Sequence, residues 1–261
     1  MGGNGRRLSR RSLLQRDEMI DKLTQLDPEP PWTTLSAVGV VIAMFVTLII
    51  GTTVSQIAFS NSPTALIAIV GWSLGAALAA ILVLNLLNRT AGGPESLQIE
   101  RTTTSLPVVF VFCLGMAGLF DLISWIVVGD RTLAAAELLN FDSTTAFSGW
   151  LAALLFMGLF QPVAEELVFR GVLFPVLRFS LGAWTGLVTC AAFYSAFHLA
   201  AYLPGSVNRT VFIGYGLASP FAIGLLIGGV RAYTGSTRAA IVAHAAFGVF
   251  AVFKVWAVTS A

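Results

Sequence analysis

Charged residues are scarce in this sequence of 261 residues: they make up 11% of the chain, against about 25% in an ordinary soluble domain. This scarcity argues against a soluble globular enzyme, and the 56% of hydrophobic residues argues against a disordered protein. Cysteine is also rare. Cys113 and Cys190 each lie in an apolar stretch, so neither a disulfide framework nor a clustered thiolate zinc site can be built from them.

In place of charge, the sequence has long apolar runs. A helix needs about 20 apolar residues to cross a hydrocarbon core of about 30 Å. Seven runs approach or exceed that length, of which the third contains Asp121 and the fourth continues into polar residues. They are Leu35 to Ile57, Ala65 to Leu87, Pro107 to Val128, Phe147 to Ala164, Leu181 to Leu203, Val211 to Val230 and Ala239 to Val258. We therefore predict an all-α fold, a polytopic transmembrane helix bundle of about seven spans in the lipid bilayer.

The distribution of basic residues predicts the orientation of these spans. Six of the first 22 residues are Lys or Arg, and with the N-terminus inside, the inner side collects twelve basic residues against three outside. Because basic segments stay in the cytoplasm, we predict a multi-pass cell-membrane protein with a cytoplasmic N-terminus. It divides into a basic tail (1–32), three spans with an outer loop (33–145) and a core of four spans (146–261). A tail of this kind fits anionic lipid, and we expect no nucleic-acid partner.

Two motifs of small residues predict close contacts between helices. Gly71-x-x-x-Gly75 and Gly224-x-x-x-Gly228 each place two glycines on one helix face. Such faces let backbones approach in lipid, where helices associate by packing and hydrogen bonding.

Two adjacent acids stand out in the second half of the chain. After Asp142 the only acidic residues are Glu165 and Glu166, and both lie in an apolar helix that also carries Arg170. A charge at mid-membrane costs about 2.5 to 3.5 kcal/mol, so function is the first hypothesis for such a set. Glu166 and Arg170 are four residues apart and can form an ion pair on one helix face. A purely structural brace is the alternative.

The two histidines of the sequence, His198 and His244, also lie in apolar spans. A turn at residues 180–183 would make an antiparallel hairpin that places Glu165 and His198 at the same depth. Glu166 and His244 lie four and six residues from inner-side arginines, so we expect these groups to meet in the cytoplasmic half of the membrane.

A carboxylate and an imidazole that meet can share a water and remove its proton, which makes the water a nucleophile for a carbonyl carbon. Alternatively, Glu165, His198 and His244 are candidates to hold a divalent metal such as zinc, which would activate the water. The residue types leave both open, with no HExxH motif present. Ser195, one turn from His198, lacks an evident acid partner for a serine-protease triad.

Three motifs follow one another in the second half: Glu165-Glu166-x-x-x-Arg170, an aromatic residue four positions before His198, and His244 in the last span. Together they resemble the CPBP family of CAAX proteases and bacteriocin-processing enzymes, also called the Abi family, over roughly Phe147 to Phe253. The resemblance implies an intramembrane endopeptidase that hydrolyses a peptide bond of a membrane-anchored protein or peptide.

The resemblance also implies the roles of the residues. Glu165 or Glu166 would activate water together with His198, Arg170 would orient the glutamates, and His244 would help to stabilise the oxyanion. It implies either a metal-dependent or a metal-free, glutamate-based mechanism.

Two positions depart from the family pattern. Tyr194 stands where Phe is usual, and Gly248 stands where the third motif usually has Asn or an acid. An amide donor aimed at an oxyanion can be worth about 3 kcal/mol. A catalytically impaired relative that binds a partner membrane protein is therefore the alternative function. A proton-coupled transporter is a third, although the first three spans contain no matching acid pair.

Overall fold

The computed structural model describes residues 10–60, 62, 64–99, 104–129, 136–138, 140–202 and 212–260. Secondary structure within these ranges is entirely helical, which confirms the predicted all-α polytopic bundle. Parts of the predicted tail, outer loop and fifth and sixth runs lie outside the described residues. The first half contains α1 (Arg10–Thr24), α2 (Thr34–Ala58), α3 (Thr64–Asn88), α4 (Gly93–Ser96), α5 (Leu106–Val128) and a 3-10 turn (Ala136–Leu138). The second half contains α6 (Phe147–Leu181), α7 (Ala183–Tyr202), α8 (residues 214–234) and α9 (Thr237–Thr259).

Six of the described helices, α2, α3, α5, α6, α8 and α9, are long and apolar enough to cross a membrane. The run predicted from Leu181 to Leu203 forms α7, which is 20 residues long. This helix is not among those six, and it carries Tyr194 and His198 beside serine and threonine. A second difference concerns α6, which continues through Glu165 and Glu166 to Leu181 as one run of 35 residues.

The turn between α6 and α7 lies where the hairpin prediction expects it. Gly182 has a φ of +86°, a backbone conformation that favours glycine, and α7 begins at the next residue. Gly186, in the first turn of α7, packs directly on the backbone of Arg178. A Cβ on Gly186 would come within 2.6 Å of the Arg178 backbone nitrogen and Cα. The two helices therefore run antiparallel in close contact, which brings Glu165 and His198 to one level.

Both Gly-x-x-x-Gly motifs lie at close helix contacts, as predicted. A Cβ on Gly75 would meet the α2 backbone at Leu48 at 2.6 Å. A Cβ on Gly228 would meet the side chain of Leu187 on α7 at 2.5 Å. These contacts fix α3 against α2 and α8 against α7, two pairs of helices that surround the polar residues.

Three π-helical segments, Phe156–Phe160, Leu167–Leu173 and Gly214–Ala218, widen α6 and α8. Each precedes a proline that has a glycine four residues before it: Gly158 and Pro162, Gly171 and Pro175, Gly216 and Pro220. A helical proline lacks an N–H and clashes with the carbonyl four residues back. The residue before each proline donates its N–H to the backbone carbonyl five residues earlier, instead of the usual four. The widened turns thus accommodate the prolines without breaking the helices.

The chain around residues 23–27 packs on the ends of α6 and α8. Nη2 of Arg178 donates to the backbone carbonyls of Leu23 at 2.8 Å and Gln25 at 2.7 Å. Nη2 of Arg231 forms an ion pair with Oδ1 of Asp27 at 3.1 Å. The charge distribution predicts that the tail and both arginines lie on one membrane face, and the structure brings residues 23–27 and both arginines together.

On another side of the bundle, α5 packs against α9. Val109, Cys113 and Ala117 of α5 and the alanines of α9 belong to one buried cluster. Asp121 pairs here with Lys254 through Oδ1 and Nζ. The single charge of the third predicted run is therefore compensated by the last helix.

Candidate active site

Glu166 is fully buried and has two partners on its Oε1. Nη1 of Arg170, one turn later on α6, donates to it at 3.0 Å, and Nδ1 of His244 on α9 lies 2.9 Å away. Arg170 also donates through Nη2 to the carbonyl of Gly224 on α8 at 3.0 Å. The predicted ion pair is present, and the cost of burying the two charges is offset by hydrogen bonds that join three helices.

Both imidazoles are oriented by their Nδ1 atoms. His198 Nδ1 lies 3.0 Å from the backbone carbonyl of Tyr194, and His244 Nδ1 faces the Glu166 carboxylate. Since both partners are acceptors, each Nδ1 must carry the proton of the bond. In the neutral imidazole each Nε2 is then an acceptor, and its direction is fixed.

Glu165 faces both of these Nε2 atoms. Its Oε2 lies 3.7 Å from Nε2 of His198 and 4.0 Å from Nε2 of His244. The side chain is 4% exposed, and Oε2 has no hydrogen-bond partner among the described residues. Two imidazole acceptors and one carboxylate oxygen therefore converge on a single point.

The other oxygen of Glu165 is held by a glutamine. Nε2 of Gln161, one turn earlier on α6, donates to Glu165 Oε1 at 3.0 Å and to Glu137 Oε1 at 2.8 Å. Glu137 comes from the 3-10 turn after α5. Because the amide binds Oε1 of Glu165, Oε2 remains directed at the histidines.

Tyr194 adds a hydroxyl group to the same place. Its Oη lies 3.4 Å from Nε2 of His244. The ring packs edge-on against Phe169 at 5.2 Å between centroids, and the guanidinium of Arg170 lies 4.5 Å above it. Because His244 Nε2 is an acceptor, the hydroxyl donates to it.

A cavity of about 450 Å³ leads to these groups between α2, α3, α6 and α7. Its lining includes Glu165 and His198 of the site and Thr52 and Thr53 of α2. Its remaining lining is mostly apolar: Met44, Phe45, Leu48, Ile49, Trp72, Ala76, Phe156 and Phe197. The buried polar site is therefore open to an extended, largely apolar ligand.

Comparison with known proteins finds a match in the part of the chain that carries the site residues. Residues 147–250 match the family model described as Type II CAAX prenyl endopeptidase Rce1-like. This match supports the assignment of the segment to the CPBP family of CAAX-type proteases. No curated protein and no solved structure matches the chain significantly. The match covers about two fifths of the chain, from the start of α6 to the middle of α9, and includes all five predicted site residues.

The proposed metal ligands have suitable chemistry but wide spacing. Tetrahedral zinc with bonds of about 2.0 to 2.1 Å holds ligand atoms roughly 3.4 Å apart. Glu165 Oε2 lies 3.7 and 4.0 Å from the two imidazole nitrogens. Within the described ranges, no three His, Cys, Asp or Glu side chains are spaced to hold a metal ion.

Gly248 has a structural reason for lacking a side chain. It lies against the π-helical segment of α6, where a Cβ would come within 2.0 Å of the carbonyl oxygen of Met157. The asparagine usual in the family has no room at this contact. Any donor for an oxyanion must therefore come from another element, and the Tyr194 hydroxyl lies on the neighbouring helix.

All five predicted residues, Glu165, Glu166, Arg170, His198 and His244, meet at this site. The sequence reasoning missed Gln161 and Glu137. Gln161 had a signal, since it lies one turn before Glu165 on the same face, whereas nothing local marks Glu137. Ser195 does not join the site, because its Oγ donates to the carbonyl of Leu217 at 2.7 Å.

Proposed function

We propose that this protein is an intramembrane endopeptidase that uses Glu165 and His198 to activate a water molecule. The observation that carries this proposal is the 3.7 Å approach of Glu165 Oε2 to His198 Nε2, two residues that line the cavity. A water hydrogen-bonded to both atoms, at about 2.8 Å each, would have an acceptor for its proton and an open face toward a bound peptide.

In the proposed reaction the water oxygen attacks the scissile carbonyl carbon, and its proton passes to the Glu165 and His198 pair. The carbonyl electron pair moves onto the oxygen. When the tetrahedral intermediate collapses, the carbon–nitrogen bond breaks and the same proton goes to the leaving nitrogen. The products are a carboxylic acid and an amine, and the site returns to its first state.

The remaining groups support charge and orientation. Arg170 and Glu166 hold His244 through its Nδ1, so that its Nε2 stays at the site. On substrate binding, the single O–H of Tyr194 would turn from His244 Nε2 to the developing oxyanion, an effect worth about 3 kcal/mol for a well-placed donor. Before that, His244 Nε2 accepts from this hydroxyl and keeps it at the site.

The substrate class follows from the location of the site. His244 lies seven residues from the start of α9 at Thr237, which corresponds to about 10 Å along a helix. A peptide bond must reach this depth inside the bundle, as part of a membrane-anchored protein or peptide. With the N-terminus in the cytoplasm of a cell-membrane protein, the site lies in the cytoplasmic half of the bilayer.

Cleavage of membrane-anchored peptides by the purified protein in lipid nanodiscs, followed by mass spectrometry, tests the proposal. Glu165→Gln and His198→Ala should each lower kcat by about 100-fold or more, because general acid–base catalysis contributes that much. Glu95→Gln on α4, an exposed acid, is the matched control. Cleavage at the parental rate by both site variants would contradict the proposal, and metal analysis with chelator treatment separates the two water-activation schemes.

The alternative is a catalytically impaired relative that binds a membrane protein. Gly248 favours it, because the usual family donor is missing at that position. A parent protein that cleaves no peptide but retains one specific membrane protein through purification would support this alternative.

A further inference from the structure

The cavity contains a second carboxylate that the proposed hydrolysis does not use. Glu137 lines the cavity together with Glu165, and its hydrogen-bond partner among the described residues is the neutral amide of Gln161. A partly buried carboxylate is costly unless it is paired with a cation. The described residues that line the cavity include neither lysine nor arginine.

From this arrangement we propose that Glu137 forms a subsite for an alkylammonium group of the substrate, either a lysine side chain or a free α-amino group. The inference rests on the proposed peptidase function and adds the chemistry that the site selects. Glu165 adds negative charge beside it, since this carboxylate is 4% exposed, lines the same cavity and has an Oε2 with no hydrogen-bond partner among the described residues. The apolar lining suits the methylene chain, and the acidic end suits the charge.

The geometry limits where the ammonium lies relative to the scissile bond. Oε1 of Glu137 and Oε1 of Glu165 are no more than 5.8 Å apart, since both accept from the same nitrogen, at 2.8 and 3.0 Å. One residue of extended chain spans about 3.5 Å. A free α-amino group would therefore belong to one of the first two residues on one side of the cleaved bond, and these are also the positions at which a lysine is tested.

Gln161 keeps the two carboxylates in separate roles. Its amide nitrogen occupies one oxygen of each group. Glu165 retains Oε2 toward the histidines, and Oε2 of Glu137 is not needed for the contact with Gln161. An ammonium at Glu137 then lies beside the activated water without displacing it.

Substrate profiling tests this inference with matched membrane-anchored peptides. Each set carries lysine, acetyl-lysine, norleucine or glutamate at one of the two residues on either side of the scissile bond. A second set compares a free with an acetylated N-terminus, which separates the side chain from the α-amino group. We expect the parent to prefer the charged amine over its acetylated form by at least tenfold in kcat/KM.

The preference should depend on Glu137. Glu137→Gln should reduce the ratio to near one, and Glu137→Lys should favour the glutamate peptide, whereas Glu95→Gln should keep the parental ratio. A parent that cleaves all four peptides equally, or a Glu137→Gln variant with the parental ratio, would overturn the subsite while leaving the peptidase proposal intact.

A binding measurement keeps the inference testable without cleavage. Decylammonium should bind the purified parent at least tenfold more tightly than decanol, and Glu137→Gln should remove most of that difference. Equal binding of the two probes by the parent would also overturn the inference. Absence of all cleavage, with this binding difference present, would count against the peptidase function alone.

Discussion

Replacing Gly248 by alanine tests the contact between α9 and the π-helical segment of α6. The new Cβ would lie 2.0 Å from the Met157 carbonyl oxygen, and real Cβ atoms essentially never approach within 3.0 Å. The two backbones must therefore separate by at least 1.0 Å along this contact. Overpacking of this kind costs about 1–3 kcal/mol, and this case should lie at the upper end because backbone meets backbone.

Gly115→Ala on α5 is the matched control. A Cβ there would meet nothing within 4 Å, so the variant should gain up to about 1 kcal/mol from helix propensity. Thermal unfolding in nanodiscs should give a lower Tm for Gly248→Ala than for Gly115→Ala, by roughly 2–4 °C per kcal/mol. Activity should fall as well, since a 1 Å misplacement can cost about 100-fold.

The result that would refute this reasoning is a Gly248→Ala protein as stable and active as Gly115→Ala. Gly248→Asn extends the test, because it introduces the residue usual in the family. We expect it to lose stability and activity. A gain in kcat would mean that α9 can move away from Met157 and that the site lacks a donor.

Two further predictions concern single polar groups. Tyr194→Phe keeps the ring between Phe169 and Arg170 but removes the hydroxyl, so kcat should fall by about 100-fold with little change in KM. The matched control is Tyr233→Phe. An unchanged kcat in Tyr194→Phe would exclude the donor role of the hydroxyl. Asp121→Asn removes the carboxylate that pairs with Lys254, whose side chain is 14% exposed, and should lower the unfolding free energy by about 1–3 kcal/mol. Combining Asp121→Lys with Lys254→Asp should recover much of that loss in thermal unfolding, whereas equal stability of all three proteins would show that the pair contributes nothing.

The membrane spans and the grouping of the polar residues could be predicted from the sequence because both depend on local patterns. Apolar runs of fixed length identify helices, and the hairpin at Gly182 places Glu165 opposite His198. The pairing of Glu166 with Arg170 follows from four-residue spacing. The division of the chain at residues 32 and 145 stays a prediction.

Other features depend on contacts between distant segments. Glu137 reaches the site from a turn outside the helices, and no local pattern predicts that Gln161 will bridge it to Glu165. The steric requirement for glycine at position 248 depends on Met157, which lies on another helix and is distant in the sequence. The widened turns of α6 and α8 are different, since a glycine four residues before a proline marked each of them in the sequence.

The packing of residues 23–27 on Arg178 and Arg231 has a practical consequence for topology mapping. These contacts tie the beginning of the chain to the ends of the helices that carry the polar groups. A chemical label that reacts with a cysteine introduced near residue 20 would report the side of the bilayer on which Arg178 of α6 and Arg231 of α8 lie. One impermeant reagent applied to intact cells and to inverted vesicles would thereby determine from which compartment the nearer helix ends are reached.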